Sequence, residues 1–219
     1  MLVKLSYPIY KNTPVYPSLK RLSIHTVRSI QKGDRKNIYG LTLNTHTGTH
    51  IDYPLHVYEE RDTKEAIEEF SYYEVAFLDI TVKERQIIER KHLKRYESEI
   101  KKCDLLLIRT GFGEHRFSDP EKYIKKNPGI SEDAAQYLKK TFPALKSVGI
   151  DTISIGSSLY PEENHRVHEI LLARDSKAPI YIIEDMRLSY YIEKIHTVHV
   201  YPLFIGLDGT PCVILGDTR

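Results

Sequence analysis

The sequence predicts a single domain of the α/β or α+β class, built around a mixed sheet. Short apolar runs rich in Val and Ile recur along the chain at strand length. Stretches with helical spacing lie between some of them, but not in strict alternation, so a purely parallel sheet is not expected. No repeat, low-complexity stretch or Gly/Ser linker divides the 219 residues, and one domain with a sizeable core suits that length better than two.

In chain order, residues 22–27, 38–43 and 75–82 read as strands from their length and β-branched content. Residues 84–101 are charged with apolar positions at Ile87, Ile88, Leu93 and Ile100, the pattern of a surface helix. Residues 105–108 are an unbroken apolar run, expected as a strand buried on both faces. Ser131 suits the N-cap of a helix running to about residue 140 and stopped near Pro143. A strand at 148–150 follows. Pro161 fits the first turn of a helix reaching about residue 174, because its missing N–H is not needed there. Strands at 180–183, 198–205 and 212–215 complete the chain.

Composition excludes several classes. Lys and Arg exceed Asp and Glu by only 32 to 30, and no long basic run occurs, so neither nucleic acid nor an acidic membrane is an expected partner. No apolar run approaches the length of a membrane span. The opening Met1-Leu2-Val3-Lys4 does not resemble a secretory signal, and the expected location is the cytoplasm. Cys103 and Cys212 are two distant cysteines, expected as small buried hydrophobes rather than a disulfide or metal pair.

The chemistry concentrates in His46-Thr-Gly-Thr-His50-Ile-Asp52-Tyr-Pro-Leu-His56. Three histidines and an aspartate all fall on even positions, which share one face of an extended chain. Imidazole nitrogen and carboxylate oxygen are the usual ligands for zinc and similar divalent ions. Fully extended, His46 and His50 would stand about 13 Å apart at Cα, too far for one ion, so the chain must bend between them. Gly48 can supply that bend. Thr, Gly and Pro are poor helix material, so a strand end entering a tight loop is expected. His50 and Asp52 then lie about 7 Å apart on one face, and Pro54 turns the chain to bring His56 near.

The same eleven residues resemble the His-x-Gly-Thr-His-x-Asp-x-Pro-x-His signature of the cyclase family of metal-dependent hydrolases, which includes bacterial kynurenine formamidase. Similar segments extend over nearly the whole chain: Lys4 to Tyr10 with Pro14-Val15-Tyr16-Pro17, Leu105 to Phe112, Gly149 to Ser154, His165 to Leu172, Pro179 to Glu184, and Asp208-Gly209-Thr210-Pro211. The resemblance implies a swivelling β/β/α fold with a partly barrel-like core, assembled as a homodimer or homotetramer. It implies two divalent ions per chain, Zn2+ or in some members Mn2+. Carried over, His46 and His50 hold the first ion, Asp52 bridges, His168 holds the second, Glu184 completes the site, and His56 is the acid/base. His165 is an alternative to His168, and Glu169 a weaker competitor for Glu184. The connection between His168 and Glu184, through residues 175–178, is longer than is usual in the family. Tyr16 is the candidate substrate-stacking residue in a chain without tryptophan. Arg109 reads as either a substrate-pocket residue or a structural ion pair, and Asp151 likewise as a pocket residue or a cap. The implied substrate is a small amide: N-formylkynurenine, releasing formate, or a lactam such as isatin. A non-catalytic metal-binding protein is the reading from another class, and an acid/base histidine beside the site argues against it.

Overall fold

The computed structural model describes residues 1–59, 70–175, 178–188 and 194–218. Its strands are β1 (Leu2–Lys4), β2 (Ser23–Arg28), β3 (Ile38–Thr42), β4 (His50–Asp52), β5 (Phe70–Tyr72), β6 (Val75–Asp79), β7 (Ile87–Ile88), β8 (Leu105–Arg109), β9 (Gly129–Ile130), β10 (Ser147–Ile150), β11 (Tyr181–Glu184), β12 (Thr197–Pro202) and β13 (Gly209–Asp217). The helices are α1 (Arg90–Leu93), α2 (Glu97–Ile100), α3 (His115–Ser118), α4 (Pro120–Lys125), α5 (Glu132–Thr141) and α6 (Pro161–Leu172).

The main sheet is mixed. Its order is β5-β12-β13-β4-β11-β10-β8-β6, with β1 also paired to β13. β6, β8, β10 and β11 run parallel, whereas β4 is antiparallel to both β11 and β13. On β8 the side chains alternate between two cores. Leu106 and Ile108 pack with Ala134 and Leu138 of α5 and with Val167 and Leu171 of α6. Leu105 and Leu107 join Ile51 of β4, Val198 and Val200 of β12, and Ile214 of β13. Strands so far apart in the sheet order can share one core only if the sheet curls, and this gives the domain its nearly barrel-like shape. β2 and β3 form a separate exposed hairpin.

Local signals explain most elements. Ser131 caps α5, its hydroxyl accepting from the Ala134 N–H. Pro161 opens α6, which ends at Leu172 rather than near 174. Beyond it the Lys139 ammonium donates to the carbonyls of Leu171, Ala173 and Ala178 and closes the helix end. Ser176 and Lys177, in the long connection, lie outside the described residues. The expected helix over 84–101 is corrected. Ile87 and Ile88 add a short parallel strand to Gly129–Ile130, and helix begins only after Glu89, whose side chain and His92 form a capping box. The strand expected over 198–205 is β12 and ends at Pro202.

Candidate metal centre

β4 is three residues long and carries the core of the site. Its side chains alternate, so Ile51 points into the hydrophobic core while His50 and Asp52 share the opposite face. Gly48 takes φ +72°, the left-handed bend that turns His46 back toward the strand. The His50 Nδ1 stands 2.8 Å from the Gly48 carbonyl, which leaves Nε2 facing the carboxylates. A tight 3-10 turn over Pro54–His56 then swings His56 alongside, its ring centroid 4.2 Å from that of His46.

The neighbouring strands and α6 bring the distant residues. β11 pairs with β4 in the register Glu184↔His50, so the two side chains emerge side by side. The Glu184 Oε2 lies 3.3 Å from His50 Nε2. Its Oε1 lies 3.2 Å from His168 Nε2 and accepts from the Ile155 N–H (2.6 Å) and the Ser154 hydroxyl (3.1 Å). His168 Nδ1 meets the Asn164 carbonyl one turn back on α6 at 2.8 Å, which aims Nε2 inward. At Asp52, His46 Nδ1 (2.8 Å) and His50 Nε2 (3.3 Å) approach Oδ1, and His168 Nε2 (3.7 Å) approaches Oδ2. β13 opens with Gly209 opposite Asp52; a Cβ there would stand 2.7 Å from His46 Cε1, so this close approach needs glycine.

These groups shape one another's protonation. Burial would lower the His46 imidazole, but Asp52 and Asp208 outweigh it and raise it to about 9. Burial opposes the charged form of His50 and His168 too; Asp52 and Glu184 nevertheless raise His50 well above its ordinary value, and Glu184 and Asp52 raise His168. Burial would raise Asp52, yet His46 and His50 hold it well below the usual carboxylate range. Burial and Asp52 would raise Glu184, and His168 and His50 bring it down. Even so, His50 Nε2 and both oxygens of Asp52 are buried and have no partner in hydrogen-bond alignment. Such inward-facing, unsatisfied imidazole and carboxylate atoms fit a divalent cation. Two groups, His46–Asp52–His56 and His50–Asp52–Glu184, each offer three ligand atoms within 4.8 Å of one another, and Asp52 belongs to both.

The cluster opens onto a cavity of about 350 Å³ whose walls include Tyr16, Leu19, Val57, Ile153 and Pro161. Tyr16 accepts from the Asn164 side chain at 3.3 Å. His165 also touches the cavity, but its side chain is 58% exposed and pairs with Glu169, facing away from the carboxylates that His168 meets. Arg109 is not brought to the site. It is buried and held by Asp79 of the adjacent strand at 2.6 Å, with Glu114 at 3.7 Å, so the structure gives it the ion-pair role. Asp151 acts as a cap, accepting from the N–H and hydroxyl of Thr110 and the N–H of Gly111.

Asp208 was given no role by the sequence. It accepts from His46 Nε2 at 2.8 Å and lies 3.5 Å from His56 Nδ1. Its only sequence signal was its place in an Asp-Gly turn.

A mixed, curled sheet with imidazoles and carboxylates converging at its β11–β4–β13 seam defines an α/β protein with a cluster of side chains able to hold a metal ion. The Cyclase family model matches residues 3–157, and the chain belongs to that family. It is 27% identical over 218 residues to a kynurenine formamidase from Geobacillus thermodenitrificans, spanning 95% of this chain and 93% of that one. It is 25% identical to cyclase-like protein 2 from Arabidopsis thaliana, over 85% of this chain and 68% of that one. Among solved structures, an isatin hydrolase bound to the product analogue thioisatinate superposes with a TM-score of 0.76 at 18% identity, covering 98% of this chain and 91% of that one. A "predicted metal-dependent hydrolase" from Bacillus stearothermophilus superposes with a TM-score of 0.72 at 24% identity, covering 100% and 98%. Among the described residues, no helix is long and apolar enough to cross a membrane.

Proposed function

We propose that this protein is a metal-dependent amide hydrolase of the arylformamidase type, converting N-formylkynurenine and water to kynurenine and formate. The observation that carries the reading is the set of unsatisfied buried atoms on His50 and Asp52, beside His46, His168 and Glu184, at the floor of a cavity. His46, His50 and Asp52 would hold one divalent ion, and Asp52, His168 and Glu184 a second. The mixed nitrogen and oxygen donor set suits Zn2+, with Mn2+ as the harder alternative. Such ions, when bound, lower the pKa of water toward neutrality and polarise a carbonyl.

The chain's own residues do the rest. His56, 31% exposed on its side chain at the cavity edge, takes a proton from the attacking water and delivers it to the leaving nitrogen. Asp208 touches both His46 and His56 and orients the two rings. Tyr16, Leu19, Val57 and Ile153 offer a mostly apolar wall for an aromatic ring. That wall also suits a flat lactam, and a ring-opening hydrolysis of an isatin-like substrate is the second reading. We further propose that the protein works in the cytoplasm as a homodimer or homotetramer. The exposed Ile24, Val27, Tyr39 and Leu41 on the β2–β3 hairpin support association.

The test is metal content per chain on protein purified without chelator, measured together with formate release from N-formylkynurenine. About two ions with formate release is the expected result. Two ions with isatin opening but no formate would favour the lactam reading. No metal, and no activity after adding it, would overturn the proposal.

A further inference from the structure

Glu184 is the last residue of β11, and the next residue turns the chain sharply. Asp185 has φ +51°, a left-handed conformation that a residue with a side chain rarely adopts. Asp185 is held there from every side. Both its carboxylate oxygens are taken by the Arg116 guanidinium, Nε to Oδ1 at 2.6 Å and Nη2 to Oδ2 at 2.7 Å. The Tyr123 hydroxyl donates to Oδ1 at 2.6 Å. Its N–H donates to the Thr152 carbonyl (2.8 Å), and its carbonyl accepts from the Thr49 hydroxyl (2.6 Å).

These contacts tie Asp185 to two parts of the site and, through Arg116, to α3. Thr49 directly precedes His50. Thr152 lies in the loop after β10, whose Ser154 and Ile155 hold the Glu184 carboxylate. Arg116 comes from α3, outside the seam, and its guanidinium lies 4.1 Å from the Tyr7 ring centroid, while the Tyr7 N–H returns to the Thr49 hydroxyl at 2.9 Å. The contacts close a ring: Arg116, Asp185, Thr49, Tyr7 and back to Arg116. Arg116, Asp185 and Tyr123 are all buried.

A buried ion pair is a poor source of net stability, because apolar residues of similar size do as well or better. One placed at a strained turn immediately after a candidate ligand calls for another account. We propose that Arg116 and Asp185 are positioning residues for Glu184: the pair fixes the left-handed turn after β11 and so sets where the Glu184 carboxylate stands against His50 and His168. The inference rests on the metal-site reading in one respect, that Glu184 is a ligand. The bidentate fork is the working part, so a lysine, which brings charge without the fork, does not replace it.

The test uses two variants of the full chain. Arg116→Lys keeps the charge and loses the fork. Arg116→Met combined with Asp185→Gly removes both charges together, leaves no unpaired buried ion, and puts glycine where φ is positive, so it keeps the fold. Zinc titration of metal-free protein is expected to show the weaker of the two binding steps loosened by about 10–100-fold in both variants, the range seen when an outer partner of a ligand is lost. Cooperative unfolding is retained. In crystals of the metal-free double variant, the Glu184 Oε1 is expected to leave the Ile155 N–H that it meets at 2.6 Å in the wild type. Binding of both ions within about threefold of wild type, or an unmoved Glu184, overturns the proposal. If the wild type takes only one ion, the two-ion reading fails and the same ratio is read on that ion. If it takes none, the metal reading fails and the position of Glu184 alone decides.

Discussion

Replacing His56 with alanine separates proton transfer from metal holding. His56 sits at the edge of the cluster, with ring centroids 4.2 Å from His46 and 5.4 Å from His168 and its Nδ1 3.5 Å from the Asp208 carboxylate. It is therefore within reach of a substrate nitrogen in the cavity without lying at the cluster's floor, where His50 and His168 are buried. A positioned general acid/base is worth about 10²–10⁴-fold in rate. At about 1.36 kcal/mol per tenfold, that is about 2.7–5.4 kcal/mol of barrier. The fold should barely notice the change. The side chain is 31% exposed, and its charged neighbour Asp208 is 36% exposed. Such pairs contribute about 0–1 kcal/mol, which for a chain of this size moves Tm by less than about 4 °C. The assay is kcat for formate release, with metal content and Tm measured on the same preparation. The expected result is wild-type metal, a nearly unchanged Tm and kcat down by at least about a hundredfold. A kcat within tenfold of wild type would remove His56 from the chemistry. Loss of metal would make His56 a ligand beside His46 and Asp52, which the 4.8 Å spacing of their donor atoms permits.

Four further outcomes follow from the same geometry. Asp52→Ala should strip both ions, since Asp52 belongs to both ligand groups; a variant that keeps one ion by elemental analysis would show that Asp52 does not bridge. Gly209→Ala sets a Cβ 2.7 Å from His46 Cε1 and should weaken zinc binding about tenfold or more with a wild-type far-UV spectrum; unchanged binding would mean that the contact yields easily. Chelation of metal-loaded protein should lower Tm by about 8–16 °C, taking about 4 kcal/mol of linkage at a thousandfold excess over Kd and about 2–4 °C per kcal/mol; an unmoved Tm would argue that the folded state binds no ion. Asp151 is raised to about 6 because desolvation outweighs its hydrogen bonds from Thr110 and Gly111, so its contribution to stability is fully present below about pH 4 and is lost as pH rises through about 6, on the order of 3 kcal/mol. The stability of wild type minus that of Asp151→Asn, from urea unfolding, should therefore fall between pH 4 and 7.5, and a constant difference would refute the assignment.

What the sequence displayed and what it hid differ by the range of the interaction involved. His46, His50, Asp52 and His56 were legible because their geometry is local: a period of two along a strand, a left-handed Gly48 and a turn at Pro54 bring four side chains together with no help from the rest of the chain. The run 105–108 was legible for the same reason, since an apolar stretch with no polar face must be buried on both sides. The helix expected over 84–101 differs at its start because Ile87 and Ile88 also satisfy a short strand, and only the partner Gly129–Ile130 decides between the two. Arg109 shows the limit most clearly. It ends a parallel strand, where α/β proteins often place binding residues, yet Asp79 in register beside it neutralises it, and the cluster forms instead where antiparallel β4 inserts. That insertion is the step no local pattern encodes. The order β11–β4–β13 sets Glu184 beside His50 and Gly209 opposite Asp52, and the turn just before Gly209 carries Asp208 up to His46. Asp185 and Arg116 were invisible for the same reason. A bidentate pair between residues 69 apart leaves no spacing to read, and its consequence for Glu184 exists only once the sheet order has put the strand end beside His50.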